Sequence, residues 1–173
     1  MALAVPQSRF TSQVGGGSAF FVRHRLRIVT TAPHIRFREA RERAGLSAEE
    51  VAASAGIHRL DVWEIEGLDG DLTCGHSPRQ LQKLCQILRI RPVDLFADSI
   101  TESAISASDL VQLIHAECCS RGITLEQFED VVEWRLTACI DPPEKLLEDM
   151  TVDGLQWLCR ELHIDWRRVL LSI

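Results

Sequence analysis

The amino-acid sequence predicts an all-α protein, two similar small helical domains in tandem behind a basic, extended arm. Three observations carry this expectation. From His34 onward, apolar residues recur at three- and four-residue spacing, the period of a helix with one buried face. Ser and Thr caps, with Gly and Pro breakers, cut that pattern into short helices. The chain also repeats itself: Leu81, Gln82, Leu84, Cys85, Leu88 and Ile90 recur as Leu155, Gln156, Leu158, Cys159, Leu162 and Ile164. An upstream pair, AGLSAEEV (44–51) and RGITLEQF (121–128), matches at an offset of 77 residues against 74 for the later pair. An internal repeat with three residues lost between is the economical reading.

The elements follow in order. Residues 1–19 contain VGGGS and several Ser and Thr, which reads as a flexible segment, the first part of a flexible basic arm expected over 1–33. In FFVRHRLRIVTT (20–31), Arg23, Arg25 and Arg27 alternate with His24, Leu26 and Ile28, which favours an extended arm. Five helices are then expected over 34–98. They are Ile35–Ala44, ended by Gly45; Ala48–Ser54, with Ser47 and Glu50 as a capping box; His58–Glu66, ended by Gly67; Pro78–Leu88, capped by Ser77; and a single turn, Pro92–Ala97. The stretch LDGDLTCGHS between the third and fourth reads as a loop. Residues 98–107, DSITESAISA, form a small-residue linker, and the second domain runs over 108–173. There, no breaker interrupts LEQFEDVVEWRLTACI before Asp141, so a longer second helix is expected, with Pro142–Met150 as a displaced third helix.

Composition bounds the function. Of 173 residues, 46% are hydrophobic and 25% charged, a globular balance. No apolar run approaches the ~18 residues of a membrane span, and the start lacks a secretory apolar core. Six cysteines without CxxC spacing suit a reducing, cytoplasmic setting with no metal. The net charge of −6 is uneven: +4 over 1–33, −2 over 34–98 and −8 over 99–173. Attraction to nucleic acid must then come from local patches, the arm first among them. No phosphate loop, nucleophile elbow or catalytic triad pattern is present, so neither an enzyme nor a cofactor is expected.

The stretch FREARERAGLSAEEVAASAGIHRLDVWEIEG resembles the lambda-repressor-like (Xre) helix-turn-helix family, and LCQILRIRPVDLF resembles its last two helices. The resemblance covers about 65 residues, with a degenerate second copy of similar size, and implies two tandem lambda-repressor-like five-helix domains. It implies that the third helix enters the major groove of double-stranded DNA. The residues so implicated are His58, Arg59, Asp61, Trp63 and Glu64, with Leu60 on the same exposed face. Glu66 matches a family glutamate that pairs inside the domain with an arginine of the first helix, here Arg38. Arg23, Arg25, Arg27 and Arg36 could reach a minor groove or phosphates; the arm could equally be an added strand or a dimer clasp. The acidic second copy is expected to serve homodimerisation or a protein partner, with Trp134 and Trp166 foremost. The function expected is sequence-specific transcriptional regulation. The alternative is a protein-interaction regulator, such as an anti-activator or antitoxin-like partner, that kept the fold without reading DNA; Ala48, Trp63 and the acids of the third helix favour it.

Overall fold

A computed structural model describes residues 31–68, 70–96 and 100–173. The first copy holds α1 (Pro33–Arg43), α2 (Ala48–Ala55), α3 (Arg59–Gly67), α4 (Asp71–Cys74), α5 (Pro78–Leu88) and a 3-10 turn (Pro92–Leu95). The second holds α6 (Ala107–Arg121), α7 (Leu125–Val132), a 3-10 turn (Leu136–Ala138), α8 (Glu144–Asp149), α9 (Val152–Glu161) and α10 (Arg167–Leu170). Every described element is helical, and none is long and apolar enough to cross a membrane.

Local chemistry fixes the ends. Ser47, Ser77, Ser106 and Thr124 each accept the amide of the residue three places on, which satisfies an otherwise unpaired donor. In return the side-chain oxygens of Glu50, Gln80, Asp109 and Gln127 accept the N-cap amides, which completes four capping boxes. The two copies match in detail. Gly45 and Gly122, 77 residues apart, both have positive φ, as do Arg89 and His163, 74 apart. Ser47 and Thr124 open α2 and α7 in the same way.

Three expectations are corrected. The second helix of the second copy is not extended: α7 ends at Val132, and Glu133 takes the left-handed conformation (φ 53°) that Gly56 takes in the first copy (φ 73°). Packing overrides propensity there, because Trp134 must turn back onto the second core, where it lies against Gly154. The segment 142–150 does fold as a helix, but α8 stands at the repeat position of α4, so it is no displaced third helix. The counterpart of α3 is reduced to the turn Leu136–Ala138. Finally, LDGDLTCGHS is not all loop. It contains α4, which starts after Gly70 at φ 113° and buries Leu72.

Each copy has its own core. Phe37, Val51, Val62, Ile65, Leu81 and Leu84 centre the first; Leu110, Ile114, Phe128, Leu136, Leu155 and Leu158 centre the second. The cores meet along a seam. Val152 and Leu170 of the second copy belong to the first cluster, and Trp166 and Ile173 pack on both. Trp166 lies edge-on to Phe96, with ring centroids 4.9 Å apart. Cys85 and Cys159 hold equivalent buried places in α5 and α9; burial pushes both thiols up to about 12, which leaves them as small apolar fillers.

Candidate nucleic-acid interface

The helix pair α2–α3 is set by a tight turn. Gly56 donates to Ala52 O at 2.8 Å from a left-handed backbone, and Ile57 donates to the same carbonyl at 3.1 Å. Lys83 Nζ donates to Ala55 O at 2.6 Å and closes the remaining end of α2. The chain then re-enters a helix at His58. The His58 amide donates to Asp61 Oδ2 at 2.9 Å, and the Leu60 amide donates to His58 Nδ1 at 3.2 Å. With Nδ1 accepting, the neutral imidazole carries its proton on Nε2 as a donor.

Val62 and Ile65 are fully buried, so the opposite side of α3 faces out. That side carries Leu60, Trp63, Glu64 and Gly67 at spacings of three and four. Leu60 is 46% exposed and Trp63 49%, both high for large apolar side chains on a helix this well anchored. The Arg59 guanidinium lies 5.2 Å from the Trp63 ring centre, so the indole props the only cation of this helix. Asp61, Glu64 and Asp71 line the groove of about 490 Å³ between α3, α4 and the start of α5, which makes that flank acidic.

The structure thus brings together His58, Arg59, Asp61, Trp63 and Glu64 on one helix, as expected, and adds Leu60 at the centre of its outer face. Two of the expected contact residues are engaged within the chain. Asp61 has its carboxylate turned to the cap of α3, so it is poorly placed to accept from a base. Arg36 is half-buried and donates to Thr31 O and Asp94 O, each at 3.0 Å, which ties the start of α1 to the Pro92–Leu95 turn. Arg23, Arg25 and Arg27 lie outside the described residues.

The expected internal pair between Arg38 and Glu66 is corrected. Arg41 is the partner: its Nε and Nη2 meet the two Glu66 carboxylate oxygens at 2.5 and 2.9 Å, and its Nη1 donates to Leu46 O at 2.8 Å. Arg38 is exposed. The reason is longitudinal position. Glu66 ends α3 beside the last turn of α1, and Arg38 lies one turn too early on the same helix. The paired carboxylate holds the Arg41 guanidinium above its ordinary range.

The two tryptophans assigned to a partner surface are both engaged within the chain. Trp166 is half-buried in the seam against Phe96, and Trp134 is half-buried on the second core. The outward tryptophan of the second copy is Trp157, 43% exposed, with the Arg160 guanidinium 3.7 Å from its ring centre. Its signal was in the sequence: Leu155, Leu158, Cys159 and Leu162 mark the inner face of α9, which leaves 157 and 160 outside. Among the described residues no group of three His, Cys, Asp or Glu could hold a metal. Comparison with family models, with curated proteins and with solved structures finds no match.

Proposed function

We propose that this chain is a sequence-specific DNA-binding regulator of the helix-turn-helix type, with the outer face of α3 laid in the major groove. One observation carries the reading. The α2–turn–α3 unit is held by caps, a left-handed Gly56 and the Arg41–Glu66 pair, while Leu60 and Trp63 on the outer side of α3 stay 46% and 49% exposed. Arg59, steadied on Trp63, suits the O6 and N7 acceptors of guanine. Glu64 suits the amino group of cytosine, and Leu60 and Trp63 suit the methyl group of thymine. The arm arginines, Arg23, Arg25 and Arg27, would supply the backbone charge that α3 lacks.

The exposed Leu60 and Trp63, with acids beside them, favour a second reading, in which α3 docks on a protein. A random duplex pool, enriched on the immobilised chain at low salt and titrated by fluorescence anisotropy, separates the two. The expected result is one enriched motif, affinity that falls with salt, and a loss of about 1–3 kcal/mol in Arg59→Ala. Failure to enrich any motif sinks the DNA reading and directs attention to a protein that covers Leu60 and Trp63.

A further inference from the structure

The internal repeat does more than fold twice. At the 74-residue offset α5 corresponds to α9, the Pro92–Leu95 turn to α10, and α4 to α8. The contacts between copies respect that correspondence: α5 packs on α8, α4 packs on α9, and the Pro92–Leu95 turn packs on α10. Exchanging the copies turns the first contact into the second and maps the third onto itself. That reciprocity is the signature of a two-fold, isologous interface between like subunits. One hydrogen bond tests it at atomic level. The Val152 amide donates to His76 O at 2.9 Å. Its symmetry mate would run from residue 78 to Met150 O, and residue 78 is proline, which has no amide proton. The bond exists on the one side that has a donor.

The second copy brings no reading helix to this pair. Where the first copy has nine residues of α3, about 13 Å of helix, the second has a three-residue turn, about 6 Å long. That turn is tied down: the Thr137 amide and hydroxyl both donate to Glu129 Oε1, at 2.6 and 2.7 Å, Lys145 Nζ donates to Ala138 O, and Leu136 is fully buried. The surrounding charge, −8 over 99–173, is repelled by phosphate.

We infer that the chain is its own dimer. The second copy occupies in cis the face through which two first copies would pair, so one chain carries one reading helix and recognises one half-site without a dyad. The pairing half of this inference stands on the seam alone; the half-site rests on the DNA reading proposed above.

The experiment has two readouts on the intact chain. Light scattering of the free protein at tens of micromolar gives the mass of one chain, 19.5 kDa, and amide exchange shows the Val152 N–H protected as long as the cores are. A dimer mass, or a Val152 amide that exchanges like a surface loop, overturns the pairing. Against the enriched duplex, one chain binds per site, and scrambling the sequence on the far side of the motif changes Kd less than about 3-fold. An inverted repeat of the motif fills as two independent sites. Two chains per enriched duplex, or an enriched motif that is itself a dyad, overturns the half-site. A protected monomer that enriches no duplex supports the pairing and overturns the DNA reading with its half-site.

Discussion

Arg41→Met is the sharpest test of how α3 is held. In the native chain Arg41 meets both oxygens of Glu66, and the two side chains are only 16% and 10% exposed. The methionine keeps the apolar stem and removes the charge. Glu66 is then left semi-buried without its partner, and Leu46 O loses a donor at 2.8 Å. Breaking a buried pair on one side costs about 3–5 kcal/mol; with this residual access to water, about 2–3 kcal/mol is expected. In a chain of this size that lowers Tm by roughly 4–12 °C. Urea and thermal unfolding followed by circular dichroism give both quantities. Arg38→Met, made alongside, changes stability by less than about 0.5 kcal/mol, because its side chain is exposed. The double change Arg41→Met with Glu66→Met recovers part of the loss, since no charge remains unpaired. Equal losses in the Arg38 and Arg41 variants, or an Arg41 variant as stable as wild type, refute the assignment and with it the argument that this pair sets the pose of α3.

Other perturbations reach other links. Gly56→Ala places a Cβ at φ 73° with only Lys83 Nζ near it, at 3.7 Å, so the cost is the backbone alone, about 1–2 kcal/mol by urea unfolding. Glu133→Gly, at the equivalent point of the second copy (φ 53°), raises stability or leaves it unchanged, and a clear loss there contradicts the strain argument. Arg167 beside Asp165 and Arg91 beside Asp94 hold both carboxyls below their ordinary value. A lowered folded value contributes stability above the ordinary Asp range and loses it as pH falls, so acid unfolding steepens below about pH 4. Asp165→Asn removes more of that step than Asp94→Asn, because Asp94 is 40% exposed and Asp165 27%. An acid limb unchanged in both variants would show that neither pair matters. Replacing thymine by deoxyuridine in an enriched duplex weakens wild type by about 3- to 10-fold and Leu60→Ser much less; equal effects on both proteins would remove Leu60 from the groove.

What the sequence revealed, and what it hid, divides along physical lines. Where a cap or a breaker is written into the chain, the expected ends fall within two residues of those observed: Ser47 starts α2, and Ser77 with Pro78 starts α5. Where no such residue exists, the end was invisible. Glu133 stops α7 in a conformation that glycine usually supplies, and only the tertiary demand on Trp134 explains it. The four residues of α4 carry no period to read, and the helix exists because Leu72 is buried and Thr73 Oγ1 bonds Gly70 O at 2.8 Å. The candidate reading face was legible as a set, since Val62 and Ile65 dictate which side of α3 is inside. The split of its polar residues between capping and exposure was not, because Asp61 and Glu64 look alike until the His58 amide claims one of them. The same limit applied to Arg38 and Arg41: spacing put both on one face, and only the height of Glu66 along α1 chose between them.

The two copies have kept and lost different things, and the division carries the argument about the seam. Kept at the 74-residue offset are the N-caps Ser77 and Thr151, the left-handed Arg89 and His163 that end α5 and α9, and the short closing helices, one of which brings Trp166 to Phe96. The two N-caps flank the Val152–His76 bond and Trp166 meets Phe96, so these kept features lie where the copies meet. Lost from the second copy is the nine-residue helix that faces outward in the first, and only a buried leucine and a stapled turn stand in its place. A second copy retained merely as a stable domain would need its core, and its core alone would not demand that α8 and α9 mirror α4 and α5 across the seam. A second copy retained to read DNA would need the outward helix. The combination present, a seam built to two-fold rules with one outward helix removed, is what results when the second copy serves as a fixed partner for the first.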